Sequence, residues 1–348
     1  MSGYLFLVFV FSCLSITAAD LYHGPETADS HKVDKDDFVG RHHGESLSKF
    51  ITRVLQPNTE YLDKCGRTIN KVAELMRSKL VPHKVAATIK GGSLGKGTAV
   101  KQMADADLLF PLGGISSVKE LSVKLPEILK TLQSALDRSG HKVTSIKKTP
   151  FTIQFLISID GVLQDVDLLP IVDLGIQHPT KENLKTIYTE MKKNENLRDY
   201  YMKCLSFLQV NFVKQQPPKV KSVIRLLKYW IKTKQHKLKS YGAELLVIKA
   251  YEDLGSPLSI REEDLAINVF GKLTDLRSLK VSWNKYFDPK NFNVPSAPYI
   301  LDPACPYHNL IRQKSGGIDD KYVYLERDAK KILNVLKDQD YRSKRGEL

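Results

Sequence analysis

The stretch Lys90-Gly-Gly-Ser-Leu-Gly-Lys-Gly-Thr98, with eleven residues between Ser93 and the following Asp105-Ala-Asp-Leu-Leu-Phe110, decides the reading of this chain. Its lysine and glycines suggest a P-loop at first sight. That motif needs Ser or Thr directly after the lysine, whereas Lys96 is followed by Gly97 and the glycine spacing is wrong. The apolar run around Asp105 and Asp107 predicts a strand. On a strand, residues i and i+2 share a face, so the two carboxylates converge on one side. Gly91 and Gly92 allow backbone to approach phosphate oxygens closely, and Ser93 can donate a hydrogen bond to them.

Asp-x-Asp alone carries little information, since Asp34/Asp36, Asp165/Asp167 and Asp338/Asp340 also satisfy it. The first and last lie in polar linker and tail, where carboxylates are solvated. Asp105 and Asp107 differ because a Gly-Ser turn precedes them at fixed distance. A third carboxylate, Asp167, sits in a second apolar strand, Asp165-Val-Asp-Leu-Leu-Pro170. Three carboxylates in apolar strands repel one another and are costly to bury unless neutralised. Two Mg²⁺ ions, roughly 3.5–4 Å apart, neutralise such a set while clamping a nucleoside triphosphate.

Hydrophobic periodicity outward from this segment predicts helices at 46–54 and 59–79, a strand at 85–89, a glycine-rich turn, and a strand at 106–110. A helix at 118–138 and strands at 142–147, 152–159 and 165–169 follow. From Lys181 onward the pattern is mostly helical. The chain therefore reads as a mixed α/β lobe packed across a cleft from a helix-rich lobe. Within the second lobe, Lys221, Arg225, Lys228 and Lys232 recur at helical spacing and form one basic face, while Val223, Ile224, Leu227 and Trp230 hold that helix on the core.

The 348 residues carry 53 Lys+Arg against 39 Asp+Glu, a net charge of +14, with 42% apolar and 26% charged residues. These proportions exclude a disordered chain, a collagen and a coiled coil, and the length suggests two domains. The positive balance favours a polyanionic partner. Cys13, Cys65, Cys204 and Cys305 are too scattered for a disulfide scaffold. Residues 1–19 lack charge and combine an apolar core with a small-residue tail, the layout of a signal peptide; an uncleaved anchor is the rival reading. Residues 20–45 form a polar linker in which His42-His43 reads as a solvated pair. The leader points to the secretory route, whereas an ATP-dependent enzyme is most at home in cytoplasm.

Gly-Gly-Ser followed by Asp-x-Asp resembles the nucleotidyltransferase signature, and the local wording is similar to that of the 2′-5′-oligoadenylate synthases. The likeness rests on KGGSLGKGT (90–98), DADL (105–108), DVDLLP (165–170), KSVIRLLKYW (221–230), YGAELL (241–246) and YILDPACP (299–306), in order over roughly residues 46–329. It implies an α/β (α+β) nucleotidyltransferase lobe with a mixed sheet at 46–178, and a helical lobe at 179–345 across an active-site cleft. It further implies that Asp105, Asp107 and Asp167 are catalytic and hold two Mg²⁺ ions. Gly92, Ser93, Lys96, Arg225, Lys228 and Tyr241 would then bind ATP. The zinc-binding insertion of related cyclic-dinucleotide synthases has no counterpart among the scattered cysteines.

Two further implications concern selectivity and activation. The family places Gln just before the tyrosine corresponding to Tyr241, where this chain has Ser240, so adenine selectivity is open. Double-stranded RNA activates better-known members; matching positions Arg77, Lys90 and Lys214 remain basic, whereas Val210 stands for an expected Arg and Pro218 for a Thr. Three readings follow: an RNA-activated oligoadenylate synthase of innate antiviral defence, an RNA-independent nucleotidyltransferase of other specificity, and a non-catalytic secreted RNA-binding protein.

Overall fold

The computed structural model describes residues 38–81, 83–85, 87–159, 161–311, 313–314, 317–318 and 321–346. The leader at 1–19 and most of the linker, with Asp34 and Asp36, lie outside the described residues. Among the described residues no helix is long and apolar enough to cross a membrane.

Apolar alternation builds the sheet. Strands β1 (Ile89–Lys90), β2 (Asp105–Pro111), β3 (Lys142–Lys148), β4 (Ile153–Ile159) and β5 (Val162–Ile171) pair in the order β1-β2-β5-β4-β3. Only β2 and β5 run parallel; β1, β4 and β3 pair antiparallel, giving the expected mixed sheet. Ala106, Leu108 and Phe110 of β2 and Val166 and Leu168 of β5 point to one face and are buried. Helices α2 (Thr59–Arg77) and α4 (Val118–Asp137) cover that face, with Leu121, Leu125, Ile128 and Leu132 of α4 in the same core. Each such side chain contributes roughly 1.5–3 kcal/mol relative to exposure. Asn58 and Ser117 start the two helices by accepting from the backbone N–H groups of Tyr61 and Glu120.

The predicted strand at 85–89 contracts to Ile89–Lys90, with Val85 making only an isolated bridge to Leu112. The glycine-rich turn contains a one-turn helix, α3 (Gly92–Lys96), closed by Gly97 in the left-handed region (φ 74°).

The second core is built on α8 (Pro218–Thr233), α9 (Ser240–Asp253), α10 (Glu262–Leu273) and α11 (Lys321–Lys344). Trp230 of α8 is fully buried and packs edge-on against Phe270 of α10, with ring centroids 5.0 Å apart. Phe38, Leu47, Phe50, Ile51 and Leu55 belong to this core, so α1 (Leu47–Phe50) and the π-turn Ile51–Leu55 pack in the helical lobe although they precede the sheet in sequence. The expected division at residue 178 therefore does not separate the two cores.

A third cluster joins α5 (Lys181–Lys193) and α7 (Ser206–Lys214) to β8 (Cys305–Asn309). Strand β8 belongs to a small sheet, ordered β6 (Lys280–Val281), β7 (Tyr299–Asp302), β8, inside the half that periodicity reads as helical. Cys65, Cys204 and Cys305 are buried and unpaired, and burial pushes the Cys204 thiol up to about 12. Cys204 and Cys305 are buried among apolar side chains.

Candidate active site

The parallel pairing of β2 with β5 sets Asp105 opposite Asp165 and Asp107 opposite Asp167. Registered neighbours on parallel strands share a face, so all four carboxylates stand on the side of the sheet turned away from α2 and α4. Sequence reasoning singled out Asp105, Asp107 and Asp167; Asp165 joins them by the same alternation. Gln154 of β4, opposite Asp167, donates from Nε2 to Asp167 Oδ2 at 2.8 Å.

The glycine-rich segment folds directly over the start of β2. The Gly91 N–H donates to the Asp107 carbonyl at 2.7 Å. A Cβ on Gly92 (φ +61°) would meet the Asp105 carbonyl oxygen at 2.8 Å and the Asp107 nitrogen at 2.9 Å. The close approach these glycines allow is thus to β2 itself. Ser93 is oriented by it: its hydroxyl and its N–H, the latter at 3.2 Å, both donate to Asp105 Oδ1. Ser93 accordingly aims a carboxylate, where its spacing suggested a donor to phosphate.

Electrostatics separates the carboxylates. Burial raises the pKa of Asp107, and Asp105 and Asp167 raise it further, to about 7. Burial and the charges of Asp165 and Asp105 push Asp167 up to about 6, against the Gln154 hydrogen bond. Burial and Asp105 also raise Asp165. At Asp105 desolvation is outweighed by the Lys228 ammonium and the Ser93 donors, which hold it below the usual range.

The cations gather around a residue that sequence reasoning missed. Glu244 of α9 is 1% exposed; its Oε2 pairs with Lys96 at 2.9 Å, while its Oε1 pairs with Lys228 at 3.5 Å and accepts from the Thr98 hydroxyl at 2.7 Å. Arg225 donates to the Ala99 and Gly97 carbonyls at 3.0 and 2.8 Å. The basic face of α8 is therefore moored to the glycine-rich segment across the two lobes. Lys96 lies 4.5 Å from the centre of the Tyr241 ring, and the Tyr241 hydroxyl donates to Asp302 at 3.1 Å. Asp302, fully buried, also accepts from Gln209 and the Ala304 N–H. Lys203 of α6 (Arg198–Cys204) is the remaining cation near Asp107 and Asp167, and it bears on the pKa of both.

Residues 179–345 match the family model described as 2′-5′-oligoadenylate synthetase 1, domain 2, C-terminus. The chain is 28% identical over 318 residues to rat 2′-5′-oligoadenylate synthase 1A, covering 82% of this chain and 88% of that one. Mouse 2′-5′-oligoadenylate synthase 1A is likewise 28% identical, over 82% and 86%. The chain is thus similar to the 2′-5′-oligoadenylate synthases over most of its length. Among solved structures, the E. coli MS115-1 CdnC:HORMA-deltaN complex matches with a TM-score of 0.55 at 18% identity, over 84% of this chain and 88% of that one. CdnC with ATP matches at 0.53 and 17%, over 84% and 89%. The fold is thus a nucleotidyltransferase fold, and the likeness to the synthases supports a nucleotidyl-transferring enzyme.

Nucleotidyltransferase relatives imply a divalent metal. The donor chemistry fits: four carboxylates on one face, three with raised pKa, present hard oxygen ligands that favour a compact divalent cation. Among the described residues no three His, Cys, Asp or Glu side chains already converge as a ligand cluster, since Asp105 is turned onto Ser93.

The positions matched to RNA contact separate. Arg77, Lys90 and Lys214 are exposed, and Lys90 Nζ donates to Asn70 Oδ1 at 2.8 Å. Val210 of α7 is 5% exposed, and Pro218 is the first residue of α8, where its missing N–H costs nothing. Ser240 opens α9 and is exposed.

Proposed function

We propose that this enzyme polymerises ATP into 2′-5′-linked oligoadenylates with release of pyrophosphate, and that double-stranded RNA activates it in antiviral defence. The observation that carries the reading is the registered carboxylate face of β2 and β5, roofed by Ser93 and flanked by Lys96, Arg225 and Lys228.

Asp105, Asp107 and Asp167 would hold two Mg²⁺ ions, which when bound supply neutralisation of the developing phosphate charge. Ser93 fixes the Asp105 carboxylate. Asp167, already holding Gln154 on Oδ2, accepts at Oδ1 the proton of the acceptor 2′-hydroxyl. That oxygen bonds to the α-phosphorus of the donor, the bond from α-phosphorus to the bridging oxygen breaks, and pyrophosphate leaves. Arg225 and Lys228 lie beside the turn where the triphosphate would sit. Lys96 lies over the ring of Tyr241, which the resemblance places beside the donor adenine.

The exposed Ser240 and the buried Val210 support a second reading, an RNA-independent nucleotidyltransferase of other base specificity. A third, a non-catalytic RNA-binding protein, is disfavoured because every carboxylate of the set is retained. The leader supports entry into the secretory route; a reporter fused to residues 1–25 that stays uncleaved in cytosol would refute that.

The test is product analysis with ATP and with mixed nucleotides, with Mg²⁺, with and without double-stranded RNA. Oligoadenylate resistant to a 3′-5′-specific nuclease and appearing only with RNA is the expected result. Product without RNA, or from another nucleotide, selects the second reading.

A further inference from the structure

A second cavity, of about 860 Å³, lies between α5, residues 284–293 and Tyr307, and none of the four carboxylates lines it. That volume is near the upper end of ordinary ligand sites, roughly 300–1,000 Å³. One wall is a face of α5: Lys181, Lys185 and Lys192 recur with helical spacing and line it. All three are exposed, and their ammonium groups make no ion pair among the described residues. Lys285 adds a fourth cation from the opposite wall, and Arg198 a fifth. The acids present are Glu195, engaged by Arg198 at 2.7 Å, and Asp288, which caps the turn at Lys290.

The floor is aromatic. Phe292 meets the rings of Tyr188, Phe287 and Tyr307 edge-on, at centroid distances of 5.8, 5.4 and 5.7 Å. Phe292 and Tyr286 are half-buried, so each keeps ring surface open to the cavity. A smaller cavity of about 570 Å³ shares Glu195, Arg198, Asn293 and Tyr307 with the first and extends it.

Unpaired lysines beside open aromatic rings are the composition that binds unstacked, phosphate-bearing bases. At 1.5 Å per residue, Lys181 to Lys192 spans about 16 Å. That row is longer than one mononucleotide's phosphates and suits a short phosphodiester backbone. A duplex keeps its bases stacked inside and cannot use the aromatic floor.

We propose that this groove is a binding site, separate from the carboxylate centre, for a single-stranded oligonucleotide: phosphates on the α5 lysines, a base on Phe292 or Tyr286. The oligonucleotide can be an RNA strand or, if the proposed activity holds, the enzyme's own product.

The test is fluorescence anisotropy on the full chain with a labelled single-stranded twelve-nucleotide oligoadenylate, excess α,β-methylene-ATP, whose bridging carbon cannot leave, being present to occupy the catalytic centre. Lys185→Glu/Lys192→Glu should weaken binding at least about tenfold and lower the salt slope by about 1.4, the single-strand value for two phosphates. Phe292→Leu keeps the volume and loses the ring, and should weaken binding at least about fivefold. Thermal midpoints establish that both variants fold. Competition by 2′-5′- and by 3′-5′-linked oligomers distinguishes product from RNA strand, and this readout does not depend on catalysis. Unchanged affinity in the folded lysine variant, equal competition by an RNA duplex, or equal competition by polyglutamate would overturn the proposal.

Discussion

Asp107 and Asp167 stand directly opposite each other on parallel neighbouring strands; burial with the charges of Asp105 and Asp167 raises Asp107 to about 7, and burial with those of Asp165 and Asp105 raises Asp167 to about 6. A carboxyl whose folded value exceeds its unfolded one favours the fold most when protonated. That contribution is complete below about pH 4 and is lost as pH rises through 6 to 7. In chelator, the wild type should lose stability relative to Asp107→Asn between pH 5 and pH 8, by a few kcal/mol at most, at about 1.4 kcal/mol per pKa unit. Mg²⁺ at pH 8 should raise the wild-type melting temperature more than that of Asp107→Asn. Parallel melting curves for the two proteins across this range, with or without metal, would contradict the electrostatic account.

Ser93 acts through Asp105. Ser93→Ala removes the hydroxyl donor and leaves the backbone N–H, so the carboxylate loses its fixed rotamer while its charge stays. Orienting partners of this kind typically change metal affinity or activity by about 10–100-fold. A Mg²⁺ titration of initial rate should show the loss largely as weakened apparent metal affinity. A change in ATP KM alone would assign Ser93 to the phosphate instead.

Glu244 neutralises Lys96 and Lys228 in a buried setting. Removing one partner of a buried pair costs about 3–5 kcal/mol, because the other charge is left uncompensated. Glu244→Gln should lose roughly that much in urea unfolding, and Lys228→Met in the Gln variant should recover part of it. A loss below about 1 kcal/mol would show that water reaches the cluster.

How much of this was legible in sequence follows from which contacts are local. Asp105, Asp107 and Asp167 were readable because strand alternation puts them on one face, and Asp165 was readable by the same rule. Glu244 was not: inside YGAELL it looks like one polar residue on an apolar helix, and its partner Thr98 lies 146 positions away. The packing of Leu47, Phe50 and Leu55 was half-legible, since amphipathicity shows that a face is buried but not against what. The small β6–β8 sheet was missed because two-residue and irregular strands have no period to detect. Val210, where the resemblance expects Arg, is buried at 5% exposure and so offers no surface for a phosphate contact.

For RNA, Lys90→Ala and Arg77→Ala should each lower the slope of log affinity against log salt by about 0.9 if each neutralises one duplex phosphate. Val210→Arg should not add to that slope. It should instead destabilise the chain, because the position is 5% exposed and a charge there has no partner. A steeper slope in Val210→Arg would show that α7 opens to receive the duplex.

The most direct measurement is transfer of label from α-phosphate-labelled ATP into oligomer by the wild type and by Asp105→Asn, Asp107→Asn and Asp167→Asn, with Mg²⁺ and double-stranded RNA. Each folded variant should lose at least about a hundredfold in rate while the wild type forms 2′-5′-linked product. Transfer that persists in Asp167→Asn, or a folded wild type that transfers no nucleotide, would contradict the claim that the β2–β5 carboxylate face is a nucleotidyl-transfer centre.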